Sequence, residues 1–235
     1  TIQLIGVSPG RMVLGFMLAT ALLSMWISNT ATAMMMLPIA LAVISEVDEL
    51  RSAGEGASNA SGEIKSNFGI CLMLGIAYAA SIGGVATLIG TPPNAILAGM
   101  VEQIYGLTIT FAGWLAFGLP LSITMFIITW YYLTRIAYPL NEKAVPGIGQ
   151  VISTELARLG PISRQERWVM AVFLLVSSAW ILRGLINVPA LSLVSDASIA
   201  MTGALLLFVI PSDITKREFL LDWKTAASIP WDIII

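Results

Sequence analysis

Residues 24–33 read SMWISNTATA, and within them Ser28-Asn29-Thr30 separates an apolar segment at 12–27 from another at 31–45. A helix rises about 1.5 Å per residue and the hydrocarbon core of a bilayer is about 30 Å thick, so each segment is too short to span it. Taken as one helix, 12–45 is too long. The pattern therefore predicts a re-entrant hairpin over 12–45 with a polar tip, which is tolerated only where protein or water surrounds it.

The composition places the whole chain in a membrane. Of the 235 residues 57% are hydrophobic and 11% are charged, whereas soluble domains carry about 25% charged residues. The net charge of -2 leaves no basic face for nucleic acid. The chain has no histidine and a single cysteine, Cys71, which excludes zinc chemistry and an internal disulfide. We predict an all-α, multi-pass protein of a bacterial-type inner or plasma membrane, in contact with lipid.

A second interruption is predicted in the segment 68–103, which is also too long for one span. Residues 83–94 read GGVATLIGTPPN, and proline removes a backbone donor and clashes with the preceding turn. The segment is therefore predicted to be a discontinuous helix. A proline kink that serves only packing is the alternative for this stretch.

The remaining segments complete a single transmembrane domain over 1–235. Three spans are predicted at 110–134, 168–188 and 197–210. A polar connector is predicted at 46–67, and a further span begins at 228–235. Lysine and arginine favour the cytoplasmic side. If the hairpin opens to the cytoplasm, the other lysines and arginines are predicted on the cytoplasmic side, and Arg183 alone is predicted on the opposite side. The chain starts at Thr1 and stops within an apolar run, so we expect an internal piece truncated at both ends.

The hairpin tip has the chemistry of an ion site. The first arm would end with free carbonyls, which suit a cation, and the second would begin with free N–H groups, which suit an anion. Ser28 and Asn29 add neutral oxygens, and Ser24 lies one turn earlier on the same face. Sodium takes such ligands, by the oxygen preference seen in other hard cations. The alternative is that Ser28-Asn29-Thr30 only caps a helix.

The second interruption offers matching groups. Unwinding at Gly90 would expose carbonyls to a cation, and a half-helix beginning near Pro92 and Pro93 would aim its N-terminus at an anion. Thr91 would add a hydroxyl donor and Asn94 would support the turn.

The two motifs together resemble those of the divalent-anion/sodium symporter family of dicarboxylate, citrate and sulfate carriers. The resemblance runs through the whole chain and implies an elevator-type carrier with inverted repeats that works as a homodimer. It implies sodium ligands at Ser24, Ser28, Asn29 and the backbone of Gly90, and contacts from Asn29, Thr30 and Thr91 to a substrate carboxylate. The family has a second Ser-Asn-Thr hairpin, which these residues lack, so they would supply half of the site.

The sequence thus predicts a transporter rather than an enzyme, with sodium-coupled uptake of a small divalent anion, most readily a C4-dicarboxylate such as succinate. An anion exchanger, or a carrier for citrate or sulfate, is the alternative within transport. Two other classes remain open: a non-transporting membrane subunit and an intramembrane hydrolase using Ser28. The hydrolase is disfavoured because no histidine or nearby lysine would activate the hydroxyl.

Overall fold

The computed structural model describes residues 8–54, 67–140, 162–185, 195–213 and 218–227, and these are mainly helical, as predicted. The helices are α1 (Pro9–Ser24), α2 (Asn29–Gly54), α3 (Asn67–Ala86), α4 (Pro92–Tyr105), α5 (Phe111–Tyr131), α6 (Arg164–Leu185), α7 (Asp196–Val209) and α8 (Trp223–Ala227). A π-helical stretch, Tyr132–Ala137, continues α5. The sequence did not predict the short antiparallel strands β1 (Pro211–Asp213) and β2 (Glu218–Phe219).

Four helical stretches are long and apolar enough to cross a membrane. They have mean hydropathies between 1.2 and 1.9 and cover Asn29–Glu49, Asn67–Ala86, Phe111–Ala137 and Arg164–Arg183. Two further apolar helices, α1 and α7, are shorter. The lengths and apolar composition agree with the predicted multi-pass membrane protein.

The first two helices meet at a turn over residues 25–28, next to the predicted polar tip. With 16 residues α1 is about 24 Å long and is short for a span, whereas α2 has 26 residues and runs well beyond the predicted arm at 31–45. Residues 46–54 of the predicted connector are therefore helical. Helix-favouring Glu46 and Glu49 and the buried Val47 continue the helix there. Residues 55–66 lie outside the described part of the chain, and the re-entrant hairpin stays a prediction.

The segment predicted as a discontinuous helix is interrupted at residues 87–91, between α3 and α4. Pro92 and Pro93 begin α4, where their missing N–H groups cost nothing. The helix ends at Gly106, whose left-handed backbone (φ 67°) lets its N–H donate to the carbonyl of Glu102.

The apolar core lies where α1 and α2 pack on α3. Leu133, in the π-helical stretch after α5, also belongs to this core. The buried side chains that α1, α2 and α3 contribute are Met12, Val13, Phe16, Met17, Met36, Ala40, Val47, Phe68, Cys71, Leu72, Ile76 and Ala79. Two hydrogen bonds fasten α5 to the same body. Ser122 Oγ donates to the carbonyl of Ile82 (2.8 Å), and Trp130 Nε1 donates to the carbonyl of Gly10 (3.1 Å).

The chain forms two compact units, one comprising residues 1–107 and 115–159 and the other 108–114 and 160–235. In the second unit Arg183 near the end of α6 pairs with Asp196 at the start of α7, with 2.5 Å between Nη1 and Oδ1. Trp180 Nε1 donates to the Asp196 carbonyl (3.0 Å), and the Trp180 ring stacks on the ring of Phe111. These two helices occupy the regions of the spans predicted at 168–188 and 197–210. Residues 186–188 and the span predicted from 228 lie outside the described residues.

Candidate functional site

Ser24, the last residue of α1, is completely buried beside two other oxygen atoms. Its Oγ lies 2.8 Å from Asn29 Oδ1 and 2.7 Å from the carbonyl oxygen of Ala80. A hydroxyl has a single hydrogen and can donate to only one of these acceptors at a time. The Ser24 hydroxyl therefore leaves one of these two acceptors without its proton, and its own oxygen keeps free lone pairs.

Two glycines allow the backbone to close around this oxygen cluster. A Cβ added to Gly84 would collide with Oδ1 of Asn29. A Cβ on Gly90 would lie 2.6 Å from the Gly84 carbonyl oxygen, closer than a real Cβ tolerates, and in a tight contact of 3.0 Å with the Ser24 carbonyl oxygen. The fold thus brings together three of the residues predicted as sodium ligands, Ser24, Asn29 and Gly90, at the junction of α1, α2 and the interruption after α3.

A pair of side-chain hydrogen-bond donors holds this junction. The hydroxyl of Thr87 donates to the carbonyl of Met25, just after α1. The amide nitrogen of Asn94, in the first turn of α4, donates to the carbonyls of Gly84 (2.9 Å) and Thr87 (2.8 Å). Thr87 and Asn94 are both buried. Carbonyl groups where α1 and α3 end thereby receive side-chain donors, and the Thr87 carbonyl also accepts the N–H of Gly90 (3.4 Å).

Ser28 has the capping role that the sequence offered as an alternative. Its carbonyl accepts the N–H of Thr32 (2.9 Å), and its Oγ lies 3.4 Å from the amide nitrogen of Ala31. Ser28 and Asn29 are half-buried, whereas Thr30 is exposed. Capping uses one lone pair of the Ser28 hydroxyl, so it does not exclude a second role for this residue.

The residues predicted in the second interruption occupy the start of α4. Thr91 precedes the helix with an extended backbone (φ -145°, ψ 141°), and its side chain makes no capping hydrogen bond. It is half-buried, Pro92 and Pro93 are exposed, and Asn94 is buried. The hydroxyl of Thr91 is therefore not used to terminate the helix.

Three parts of this junction were missed by reasoning from the sequence: the Thr87 hydroxyl, the Gly84 contact and the Ala80 carbonyl. A hydroxyl within the apolar run VATLIG was a usable signal for Thr87. The carbonyl of Ala80 had no signal, because any residue supplies one and only the packing of α1 on α3 selects it.

The oxygens of the cluster are uncharged. Among the described residues no group of three or more His, Cys, Asp or Glu side chains is placed to hold a metal ion. Calcium-type divalent sites are usually built around carboxylates. A neutral cluster of hydroxyl, amide and carbonyl oxygens suits a monovalent hard cation better.

An open cleft of about 780 Å³ in the second unit has a different character. Apolar side chains such as Phe173 and Phe219 line it together with the carboxylates of Glu166 and Asp222. Hydrogen bonds from the side chain and backbone of Thr225 hold the pKa of Asp222 below its usual value, so it is charged at neutral pH. The negative charge would repel a dianion.

Comparison with known proteins shows the family to which the chain belongs. The model of the sodium:sulfate symporter transmembrane region matches residues 1–235. A sodium-dependent dicarboxylate transporter of Staphylococcus saprophyticus subsp. saprophyticus is 40% identical over 237 residues, which cover 100% of this chain and 45% of the relative. Transporters with the same description from Staphylococcus aureus strains USA300 and MW2 are 40% and 41% identical with the same coverage. The chain therefore spans about half the length of the curated relatives it matches.

Proposed function

Because the chain belongs to the sodium:sulfate symporter family, we propose that it forms one half of the machinery of a carrier that couples sodium entry to the uptake of a dicarboxylate anion. Members of this family are transporters rather than enzymes, as the sequence predicted, and the chain is a multi-pass plasma-membrane protein. Relatives that share about two residues in five with this chain are described as sodium-dependent dicarboxylate transporters. We propose a C4-dicarboxylate such as succinate as the substrate, and succinate is the anion to test.

The observation that carries the proposal is the oxygen cluster around Ser24. A buried hydroxyl at hydrogen-bond distance from an amide oxygen and a carbonyl oxygen has lone pairs to spare. A sodium ion would use them, with Ser24, Ser28 and Asn29 as side-chain ligands and the backbone carbonyl of Gly90 completing the shell. The close approach of Gly90 to the Ser24 carbonyl supports the last of these ligands.

The anion would bind at the two helix N-termini beside this ion. The starts of α2 and α4 carry the partial positive charge of a helix N-terminus. At α4 this charge comes from the helix dipole, because Pro92 and Pro93 have no N–H to donate. In this proposal Asn29, Thr30 and Thr91 donate hydrogen bonds to one carboxylate. Thr30 is exposed and Thr91 is half-buried with no capping bond, so both can reach a ligand.

Coupling follows from shared residues. Asn29 begins α2 and would bind both sodium and substrate, while Gly90 and Thr91 are adjacent in the second interruption. An ion that bridges Ser24, Asn29 and Gly90 would order both helix starts and so raise anion affinity. By linkage the anion raises sodium affinity by the same factor. The elevator motion and the homodimer are proposed on the resemblance, and the re-entrant hairpin open to the cytoplasm is proposed on segment length and the placement of lysine and arginine.

Uptake by the complete protein in proteoliposomes tests this function. Labelled succinate should accumulate under an inward sodium gradient and fail to accumulate when choline replaces sodium. Asn29→Ala should reduce sodium-driven uptake by at least about 100-fold, since it removes a ligand of both ion and anion, equivalent to roughly 2.7 kcal/mol. Asn67→Ala, at an exposed asparagine that begins α3, is the matched control and should keep wild-type uptake.

The same vesicles separate the rival functions. Sodium-independent counterflow of succinate would establish an exchanger instead. Preferential uptake of citrate or sulfate over succinate would keep sodium coupling and change the substrate. Uptake that persists unchanged in Asn29→Ala would refute the proposed site residues.

A further inference from the structure

Thr32, in the first turn of α2, carries a buried hydroxyl that takes part in none of the hydrogen bonds around Ser24. The residue is 0% exposed, and within the described residues its Oγ1 has no hydrogen-bond partner. A hydroxyl removed from water without a partner costs folding free energy. Such a group calls for a ligand or a functional reason.

Other helical threonines of this chain satisfy their hydroxyls locally. Thr20, Thr124 and Thr134 donate to the carbonyl four residues earlier, at 2.7, 2.9 and 2.7 Å. Thr32 does not, although the Ser28 carbonyl stands in the same relation to it and accepts its backbone N–H at 2.9 Å. The Thr32 hydroxyl is therefore buried without the local hydrogen bond that the other threonines make.

Thr32 lies in the first turn of α2, close in sequence to Asn29 of the oxygen cluster. It follows Asn29 by three residues, which puts the two side chains on one face of the helix. The same face continues through Met36 and Ala40, which are buried in the core with α1 and α3. Thr32 thus lies one turn further along the helix face that supplies Asn29 to Ser24.

We propose that the Thr32 hydroxyl is a further oxygen ligand of the coupling sodium ion, added to those of Ser24 and Asn29; this inference rests on the proposed function. A hydroxyl oxygen brings lone pairs and no charge, which matches the other members of the cluster. Occupation by the ion satisfies the otherwise unpaired oxygen. The hydroxyl thereby makes the stability of the first turn of α2 depend on bound sodium.

The test compares Thr32→Val, which removes the hydroxyl and keeps the side-chain shape, with Thr32→Ser, which keeps the hydroxyl. Thermal unfolding of the complete purified protein is followed against sodium concentration, with choline balancing the ionic strength. Thr32→Val should need about tenfold more sodium for half of the maximal stabilisation, equivalent to roughly 1.4 kcal/mol, and Thr32→Ser should stay within about twofold of wild type. Thr20→Val removes another fully buried threonine hydroxyl and should leave the sodium midpoint unchanged.

The outcomes separate this inference from the function it rests on. An unchanged sodium midpoint in Thr32→Val, with higher stability in choline, would show that the hydroxyl is only an unpaired group and would overturn the inference. If Thr32→Val does not fold, Thr32→Ala and Thr32→Ser replace it, and equal sodium midpoints in those two overturn it equally. A wild-type protein that sodium does not stabilise more than choline would instead defeat the proposed sodium coupling.

Discussion

The hydroxyl of Thr87 donates a 2.5 Å hydrogen bond to the carbonyl of Met25, which joins the end of α1 to the interruption between α3 and α4. Asn94 extends this connection, because its amide nitrogen donates to the carbonyl of Thr87 itself. The two places where helices stop are thus cross-linked by protein groups, independently of any ion. This link holds the Ser24 and Gly90 backbones within reach of each other.

Replacing Thr87 by valine should destabilise the protein. The change leaves the carbonyl of the half-buried Met25 without its donor, next to the fully buried Thr87 side chain. The expected loss of unfolding free energy lies between about 0.6 kcal/mol, the average for hydrogen bonds between membrane helices, and about 3 kcal/mol for an unpaired buried polar group. Thermal unfolding in detergent measures it. Thr87→Ser keeps the donor and should lose less than Thr87→Val; equal losses would assign the effect to the methyl group.

The Asn94 side chain should act together with Thr87. Asn94→Leu removes donors to the carbonyls of Gly84 and Thr87, and we expect it to lower stability by about 1–3 kcal/mol. Because Asn94 and Thr87 belong to one hydrogen-bonded chain, the double variant with Thr87→Val should lose less than the sum of the single losses. A double-mutant cycle measures a coupling of at least about 0.5 kcal/mol. Strict additivity would contradict a connected network.

Glycine at position 84 should be indispensable for the ion site. In Gly84→Ala the new methyl group meets Oδ1 of Asn29 and must displace it from Ser24. We expect the sodium concentration for half-maximal uptake to rise at least about tenfold, which corresponds to roughly 1.4 kcal/mol. Sodium-dependent uptake of succinate into proteoliposomes is the measurement.

A second helical glycine supplies the control for that experiment. Gly99 lies within α4, and a Cβ there meets nothing within 4 Å. Gly99→Ala should therefore keep the sodium dependence and raise stability by roughly 0.5–1 kcal/mol, because alanine favours the helix. If both alanine variants behave alike, the close approach at Gly84 has no bearing on the ion.

The ion pair between Arg183 and Asp196 should matter little to transport. Their side chains are 21% and 29% exposed, and pairs of this kind contribute about 0–1 kcal/mol. Arg183→Gln should cost a similar small amount in thermal unfolding, screened further by salt. The sodium and succinate concentrations for half-maximal uptake by Arg183→Gln should equal those of the wild-type protein. A large loss of uptake in Arg183→Gln would give the second unit a role that its contacts do not indicate.

Local chemistry made the two helix interruptions predictable, whereas their mutual packing was not. Polar side chains at Ser28-Asn29-Thr30 and prolines at 92 and 93 mark chain breaks by rules that act within a few residues. The Ala80 carbonyl joins the cluster only because α1 crosses α3 at that height, which depends on residues far apart in the chain. The unpaired state of Thr32 is likewise invisible in the sequence, where it is one more threonine near a helix start.

The length of α2 shows how an apolar window misjudges a helix end. The predicted arm at 31–45 stopped where charged residues begin, at Glu46, but the helix continues to Gly54. Glutamate is a good helix former, and Val47 continues the buried face. Hydropathy identifies the apolar part of a helix, and the backbone follows helix propensity and packing beyond it.

Replacing Thr91 should weaken the binding of the substrate anion without changing the binding of sodium. Its hydroxyl does not cap α4, and we propose that it donates to the substrate carboxylate. Thr91→Val should raise the KM for succinate by about 10–150-fold, since a hydrogen bond to a charged group contributes roughly 1.5–3 kcal/mol. The sodium midpoint of thermal stabilisation without succinate should stay unchanged. Thr124→Val, at an exposed threonine on α5, is the matched control and should change neither quantity. If the sodium midpoint of Thr91→Val shifts as much as the KM for succinate, Thr91 would be assigned to the sodium site instead of the substrate site.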